Sequence, residues 1–149
     1  MMIILAYAVI KIIMILESIV HAFKEKEKRN WEQLYYYFDI HGTILVPDYD
    51  NSTLEFYPFA KEALQLIHQH PAIVTGLYTC SYPKEITRYV TFFEENDINF
   101  KYVNKNPEVA NTRLGCFTEK LYFNVLFEDK ASFRPHEWEG VYNFFKTLQ

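Results

Sequence analysis

Glycine is scarce in this chain of 149 residues: only four are present, Gly42, Gly76, Gly115 and Gly140. They are too scattered to build a glycine-rich loop around a phosphate, so a phosphate site here has to be assembled from strand ends and side chains. Cysteine is scarcer still. Cys80 and Cys116 cannot make a disulfide framework and lack the spacing of a zinc site, and a reducing cytoplasm is the expected location. Excess positive charge is also missing. Fifteen basic residues face nineteen acidic ones for a net charge of −4, which argues against non-specific binding along a nucleic-acid backbone. No Lys or Arg precedes Ile10, so the basic start of a secretory signal is absent, and Val20-His21-Ala22 is a poor cleavage signal.

Apolar and aromatic residues, by contrast, are abundant. Half the chain is hydrophobic and 18% is aromatic, enough for one folded domain with a real core and too much for a disordered chain. The first stretch, MMIILAYAVIKIIMIL, is almost wholly apolar. A membrane span needs about 20 such residues, but Lys11 interrupts this run and Glu17 ends it. Lys11, Ser18, His21 and Glu25 recur at helical spacing, so a long amphipathic helix over roughly residues 2–30 is predicted. Its apolar face has three candidate partners: the domain itself, a second copy of the chain, and a membrane surface contacted through residues 1–23. The charged run Lys24–Arg29 reads as a solvated helix end that would also suit lipid headgroups.

Residues 31–149 form the domain proper. An apolar strand over Leu34–Ile40 ends at Asp39-Ile-His-Gly-Thr. A polar loop follows, then a helix opened by Pro58 with Ala60, Ala63, Leu64 and Ile67 on one face. AIVTGLYT is a second strand. The next helix is predicted to be capped by Ser81, with Pro83 in its first turn and Ile86, Val90 and Phe93 along one face. INFKYVN is a third strand, Lys105–Thr118 is irregular or a short helix, LYFNVLF is a fourth strand, and RPHEWEGVYNFFKTL closes the chain as a helix. Phe92, Phe93, Phe144 and Phe145 fall on helices as core. Strands alternating with helices predict an α/β fold, a three-layer α/β/α Rossmann-like sandwich with a mostly parallel sheet and helices on both faces.

In such sheets ligands bind beyond the carboxyl ends of the strands. The residues there are Asp39 and His41, Thr79 with Cys80 and Ser81, Asn104 with Lys105, and Glu128 with Asp129. Carboxylates from separate strand ends can hold Mg²⁺, which prefers a few oxygen ligands. A carboxylate can also be a nucleophile toward phosphorus, a hydroxyl can hold the transferring phosphoryl group, and a lysine can neutralise it. Each residue alone has a commoner structural explanation; it is their joint placement that points to phosphate chemistry.

Three segments resemble the motifs of the haloacid dehalogenase-like hydrolases. YYYFDIHGTIL is similar to their first motif, an apolar strand followed by Asp-x-Asp-Gly-Thr. IVTGLYT is similar to the second, a strand ending in Thr or Ser, and NVLFEDK to the fourth, a strand ending in two acidic residues. The order matches over about Tyr35–Leu148, and the tail resembles small, minimally capped bacterial and phage members.

The resemblance implies a Mg²⁺-dependent phosphomonoester hydrolase working through an aspartyl-phosphate on Asp39. It implies metal ligands at Asp39, the backbone carbonyl of His41, Asp129 and Glu128, and phosphate contacts at Thr79, with Gly42, Thr43 and Cys80 beside it. It also implies a third-motif lysine, at Lys120 or Lys105; the position close to the last strand favours Lys120. The departure is His41, which stands where the family's second aspartate acts as general acid and base. Histidine can move protons near neutrality. The alternative is a weak or non-catalytic phosphate-binding module.

The loop from Ile44 to Tyr57 is too short for a cap domain, so the site is expected to be open to a small phosphorylated substrate. Such a site also suits a large substrate, one presented on a macromolecule, or a partner subunit or the N-terminal helix acting as lid. Tyr49, Phe56 and Tyr57 in this loop are candidates to stack a nucleotide base. His68, His70 and His136 have no spacing that ties them into a metal site.

Overall fold

The apolar run before Asp39 forms β1, Leu34–Phe38, the strand around which the sheet is laid. The computed structural model describes residues 2–48, 50 and 53–149, with side chains inside the first helix described from Met14 onward. That helix, α1, is Met2–Arg29. After β1 come α2 (Ala60–Gln69), β2 (Ile73–Leu77), α3 (Pro83–Glu94), β3 (Tyr102–Val103), β4 (Val125–Phe127) and α4 (Trp138–Lys146), with 3₁₀ turns at Asp129–Ala131 and Pro135–Glu137. The strands stand in the order β3-β2-β1-β4 and every pairing is parallel. The protein is thus an α/β domain with a four-stranded parallel sheet flanked by helices, as the alternation of strands and helices predicts.

Alternation along β1 assigns the two faces of the sheet. Leu34, Tyr36 and Phe38 face the helices. Tyr36 meets Phe145 of α4, and Phe38 stacks with Phe127 and Trp138 at centroid distances of 4.5 and 6.2 Å. The predicted stripe on α2, Ala60, Ala63, Leu64 and Ile67, is buried there. On α3 the buried pair is Tyr89 and Phe93. Tyr35 and Tyr37 face the other way, onto the crossover from β3 to β4: Tyr35 packs edge-on to Tyr122, and the Tyr37 hydroxyl donates to the Lys105 carbonyl at 2.6 Å. Residues 105–124 form this third layer, and they contain no helix.

The strands are shorter than their apolar runs suggest, for local reasons. At β4 the Asn124 side chain takes the Tyr35 N–H at 2.7 Å, replacing a backbone carbonyl and ending the ladder. At α3 the predicted cap is corrected. Ser81 N–H and hydroxyl are both engaged by the Thr79 hydroxyl, so Tyr82 stands at the cap position without a side-chain bond and Pro83 opens the helix.

In α1, Ile15, Ile19 and Ala22 are buried while Ser18 and His21 are exposed, which is the amphipathic pattern expected. Arg29 holds Glu25 at 2.6 Å. The buried Glu137 carboxylate accepts the Ile15 N–H at 3.1 Å. This contact is where the domain takes hold of α1. Over the residues whose side chains are described, 14–29, the apolar face of α1 packs on the domain. Expectations resting on side chains before Met14, a membrane surface or a second copy, lie outside the described residues. No helix among the described residues is long and apolar enough to cross a membrane.

Candidate functional site

Register brings the strand ends to one edge. Asp39 N–H donates to Phe127, Tyr78 N–H to Phe38 and Asn104 N–H to Leu77, each at 2.8 Å. The chain then turns sharply after Asp39. The Ile40 carbonyl accepts from Ile44 and Leu45 at 2.9 Å, and Gly42 N–H donates to Leu45. Trp138 pins this turn by donating its indole N–H to the Thr43 carbonyl at 2.7 Å.

Gly42 has φ of +74°, and a Cβ there would lie 3.0 Å from Asp129 Oδ2. Conformation and space therefore both require glycine, and its small size lets the first and last strand ends close on one another.

Asp39, Glu128 and Asp129 can each place one carboxylate oxygen so that all three lie within 4.8 Å of one another. Burial pushes the Asp39 carboxyl up to about 6, with the Asp129 charge adding to the effect. The Ile40 N–H, the Lys130 charge and the Thr43 hydroxyl pull against it. Glu128 is pushed up to about 7, first by burial, then by a hydrogen bond with Asp129, while it accepts the Lys130 N–H at 3.2 Å. Thr43 is fully buried, and its hydroxyl closes no hydrogen bond of good geometry among the described residues. Crowded, half-buried carboxylates with raised proton affinity suit an oxygen-preferring divalent cation. No backbone N–H among the described residues donates to the His41 carbonyl, so it too is available as an oxygen ligand.

The edge opens into a cleft of about 820 Å³. Of the predicted site residues, Asp39, His41, Gly42, Thr79, Cys80, Glu128 and Asp129 line it, and Thr43 lies buried behind. Lys105 and Lys120 are exposed and do not line it; the lysine that does is Lys130. This residue follows Asp129 directly, and its charge acts on Asp39. Cys80 is an exposed free thiol on the rim. The His41 ring turns toward α3, where Nε2 lies 2.9 Å from the Tyr89 hydroxyl. Burial lowers its pKa, opposed by the Glu85 charge.

Thr79 is held by a residue whose role was not legible in the sequence. Asn104, at φ +53°, accepts the Thr79 N–H at 2.8 Å and donates to its carbonyl at 2.7 Å. This amide clamp continues the sheet by one step beyond β3. The loop after β1 forms a small flap through the Leu45–Phe56 bridge, and Pro47 and Asp48 line the cleft from it. Phe56 is stacked on Phe92 and belongs to the core, and Tyr49 lies outside the described residues. Tyr57 is near enough to Asp129 for that charge to help raise its pKa, behind burial. His68 bonds within the core to Leu64 and Thr75.

No family model matches the chain, and no curated protein does. A solved structure of a conserved, locus-encoded protein from Bacteroides thetaiotaomicron superposes with a TM-score of 0.60. It is 21% identical, over 78% of this chain and 93% of that one. At that identity the likeness shows the fold alone.

Proposed function

We propose that the protein is a divalent-cation-dependent phosphomonoester hydrolase of the haloacid dehalogenase-like type, acting on a small phosphorylated substrate through Asp39. The observation that carries this reading is the convergence of Asp39, Glu128 and Asp129 from two separate strand ends onto one cleft edge.

Asp39, with the His41 carbonyl, Asp129 and Glu128, would hold Mg²⁺, which when bound supplies charge neutralisation for the phosphate oxygens and the nucleophile. Asp39 attacks phosphorus as the bond to the leaving oxygen breaks, giving an acyl phosphate on Asp39. Water then attacks phosphorus, releasing phosphate and restoring the carboxylate. Thr79, its backbone held by the Asn104 clamp, would turn its hydroxyl from Ser81 to the phosphoryl oxygens. Lys130, not Lys105 or Lys120, supplies the cation beside them. Asp39→Asn should lower Mg²⁺-dependent hydrolysis of an aryl phosphate by about 10³-fold or more. Absence of any such hydrolysis by the unsubstituted chain refutes the reading.

A second reading, a slow or non-catalytic phosphate-binding module, is favoured by the contact of His41 with Tyr89. With Nε2 donating to the Tyr89 oxygen, a neutral imidazole has no second N–H for a leaving alkoxide. His41→Asp separates the two. A large gain in turnover supports the module, and a loss makes His41 the working acid and base.

A further inference from the structure

The cleft has a wall that phosphate chemistry does not use. Phe38 is matched with Leu77 and with Phe127, and Leu77 with Val103. One step on, the register sets Asn104, Tyr78, Asp39 and Glu128 side by side in the order of the strands. Matched residues of a parallel ladder point to the same face, about 4.8 Å from strand to strand. Tyr78 is thus the immediate neighbour of Asp39 on one side, as Glu128 is on the other.

Three members of this row have tasks. Asp39 and Glu128 belong to the carboxylate cluster, and Asn104 clamps Thr79. Tyr78 has none that the fold requires. Its side chain makes no hydrogen bond and no ring contact among the described residues, and it is 42% exposed. By contrast, Phe38 and Phe127 of the sheet and Trp138 of α4 are all paired ring to ring. Tyr78 instead turns an unpaired aromatic surface into the cleft, where Pro47 and Leu121 add apolar lining.

We infer that Tyr78 is a stacking platform for the part of the substrate beyond the phosphate, and that this part is a flat aromatic ring carried within about one sugar's length of it. This rests on the phosphate-ester reading above. With the phosphorus at Asp39, a tyrosine one strand away reaches such a ring and offers it a π-face. A linear aliphatic group gains less there. Of the loop aromatics expected to stack a base, Phe56 is taken up by its stacking on Phe92, and Tyr78 offers such a face from a strand end.

The test uses the full chain with Mg²⁺ and two probes that share the phosphate and the primary C5 oxygen of ribose as leaving group, adenosine 5′-monophosphate and ribose 5-phosphate. Both kcat/KM and calorimetric affinity are measured for the unsubstituted protein, Tyr78→Ala and Tyr78→Phe. The expected result is a preference for the nucleotide that falls on the order of tenfold in Tyr78→Ala and survives in Tyr78→Phe. An unchanged preference in Tyr78→Ala overturns the inference while hydrolysis of both compounds leaves the phosphatase reading standing. A preference lost equally in Tyr78→Phe also overturns it, since the hydroxyl would then be the recognising group. If neither ester is hydrolysed, the phosphatase reading falls and the affinities still decide Tyr78. A nucleotide preference abolished in Tyr78→Ala supports the platform; equal affinities, or no binding, overturn it.

Discussion

Gly76→Ala tests the packing that carries the sheet edge to the site. Gly76 is the register partner of Tyr37, whose fully buried ring lies across it. A Cβ at 76 would stand 2.3 Å from Cε1, 2.6 Å from Cζ and 2.9 Å from Cδ1. Ordinary contact begins near 3.4 Å, so the ring has to move by about 1 Å. Its hydroxyl is tied to the Lys105 carbonyl at 2.6 Å, and such a shift breaks that bond.

Overpacking costs about 1–3 kcal/mol and the lost hydrogen bond about 1 kcal/mol. Reduced freedom of the unfolded chain returns about 0.4–1 kcal/mol, because Gly76 has no positive φ that alanine would resist. The net loss is roughly 2–3 kcal/mol, which lowers Tm by about 6–12 °C in a chain of this size. Urea and thermal melts measure it. In a Tyr37→Leu background the same substitution should cost under about 1 kcal/mol, because the ring it strikes is gone. A Gly76→Ala protein as stable as the unsubstituted chain would falsify the account. The same shift would disturb Lys105 and the neighbouring Asn104 clamp, so kcat/KM should fall with stability.

Three further outcomes are expected. Tyr36→Phe removes a buried hydroxyl that has no hydrogen-bond partner among the described residues, so it should raise stability by about 1 kcal/mol in urea melts; a loss of that size would mean the hydroxyl is satisfied. His68 donates from Nδ1 to the Leu64 carbonyl at 2.7 Å and accepts the Thr75 hydroxyl at Nε2 at 2.8 Å, and burial holds its pKa below the usual 6.5. The unfolded chain therefore binds the proton more readily, and His68's contribution to stability is present above pH 6.5 and lost as pH falls through the folded value. Melts at pH 7.5 and 5.5 should show a smaller pH-dependent loss for His68→Asn than for the unsubstituted chain, and equal losses would remove His68 from the explanation. Lys130→Met should reduce kcat/KM by about tenfold or more, while Lys105→Met and Lys120→Met stay within about twofold; the reverse ranking would restore one of the lysines selected by motif spacing.

The amino-acid sequence by itself determined where the sheet delivers its carboxylates. A buried strand reads as an apolar run, and the point at which polarity breaks marks Asp39 and Glu128-Asp129 without any knowledge of pairing. It likewise determined the stripe on α2, because helical spacing is a local feature.

What stands beside Asp39 was decided only by tertiary structure. That Tyr78 is its neighbour, that Asn104 clamps Thr79, and that Tyr89 engages His41 all depend on strand order, register and the packing of α3, which link residues far apart in the chain. Lys130 was visible in Glu128-Asp129-Lys130, but motif spacing pointed to Lys105 and Lys120 instead. The 3₁₀ turn after Glu128 puts Lys130 on the cleft, whereas the crossover leaves the other two on its outer surface. The grip of Glu137 on Ile15 joins the 3₁₀ turn before α4 to the first helix, a contact with no trace in any local pattern, because a carboxylate seeks a buried N–H wherever the fold brings one within reach.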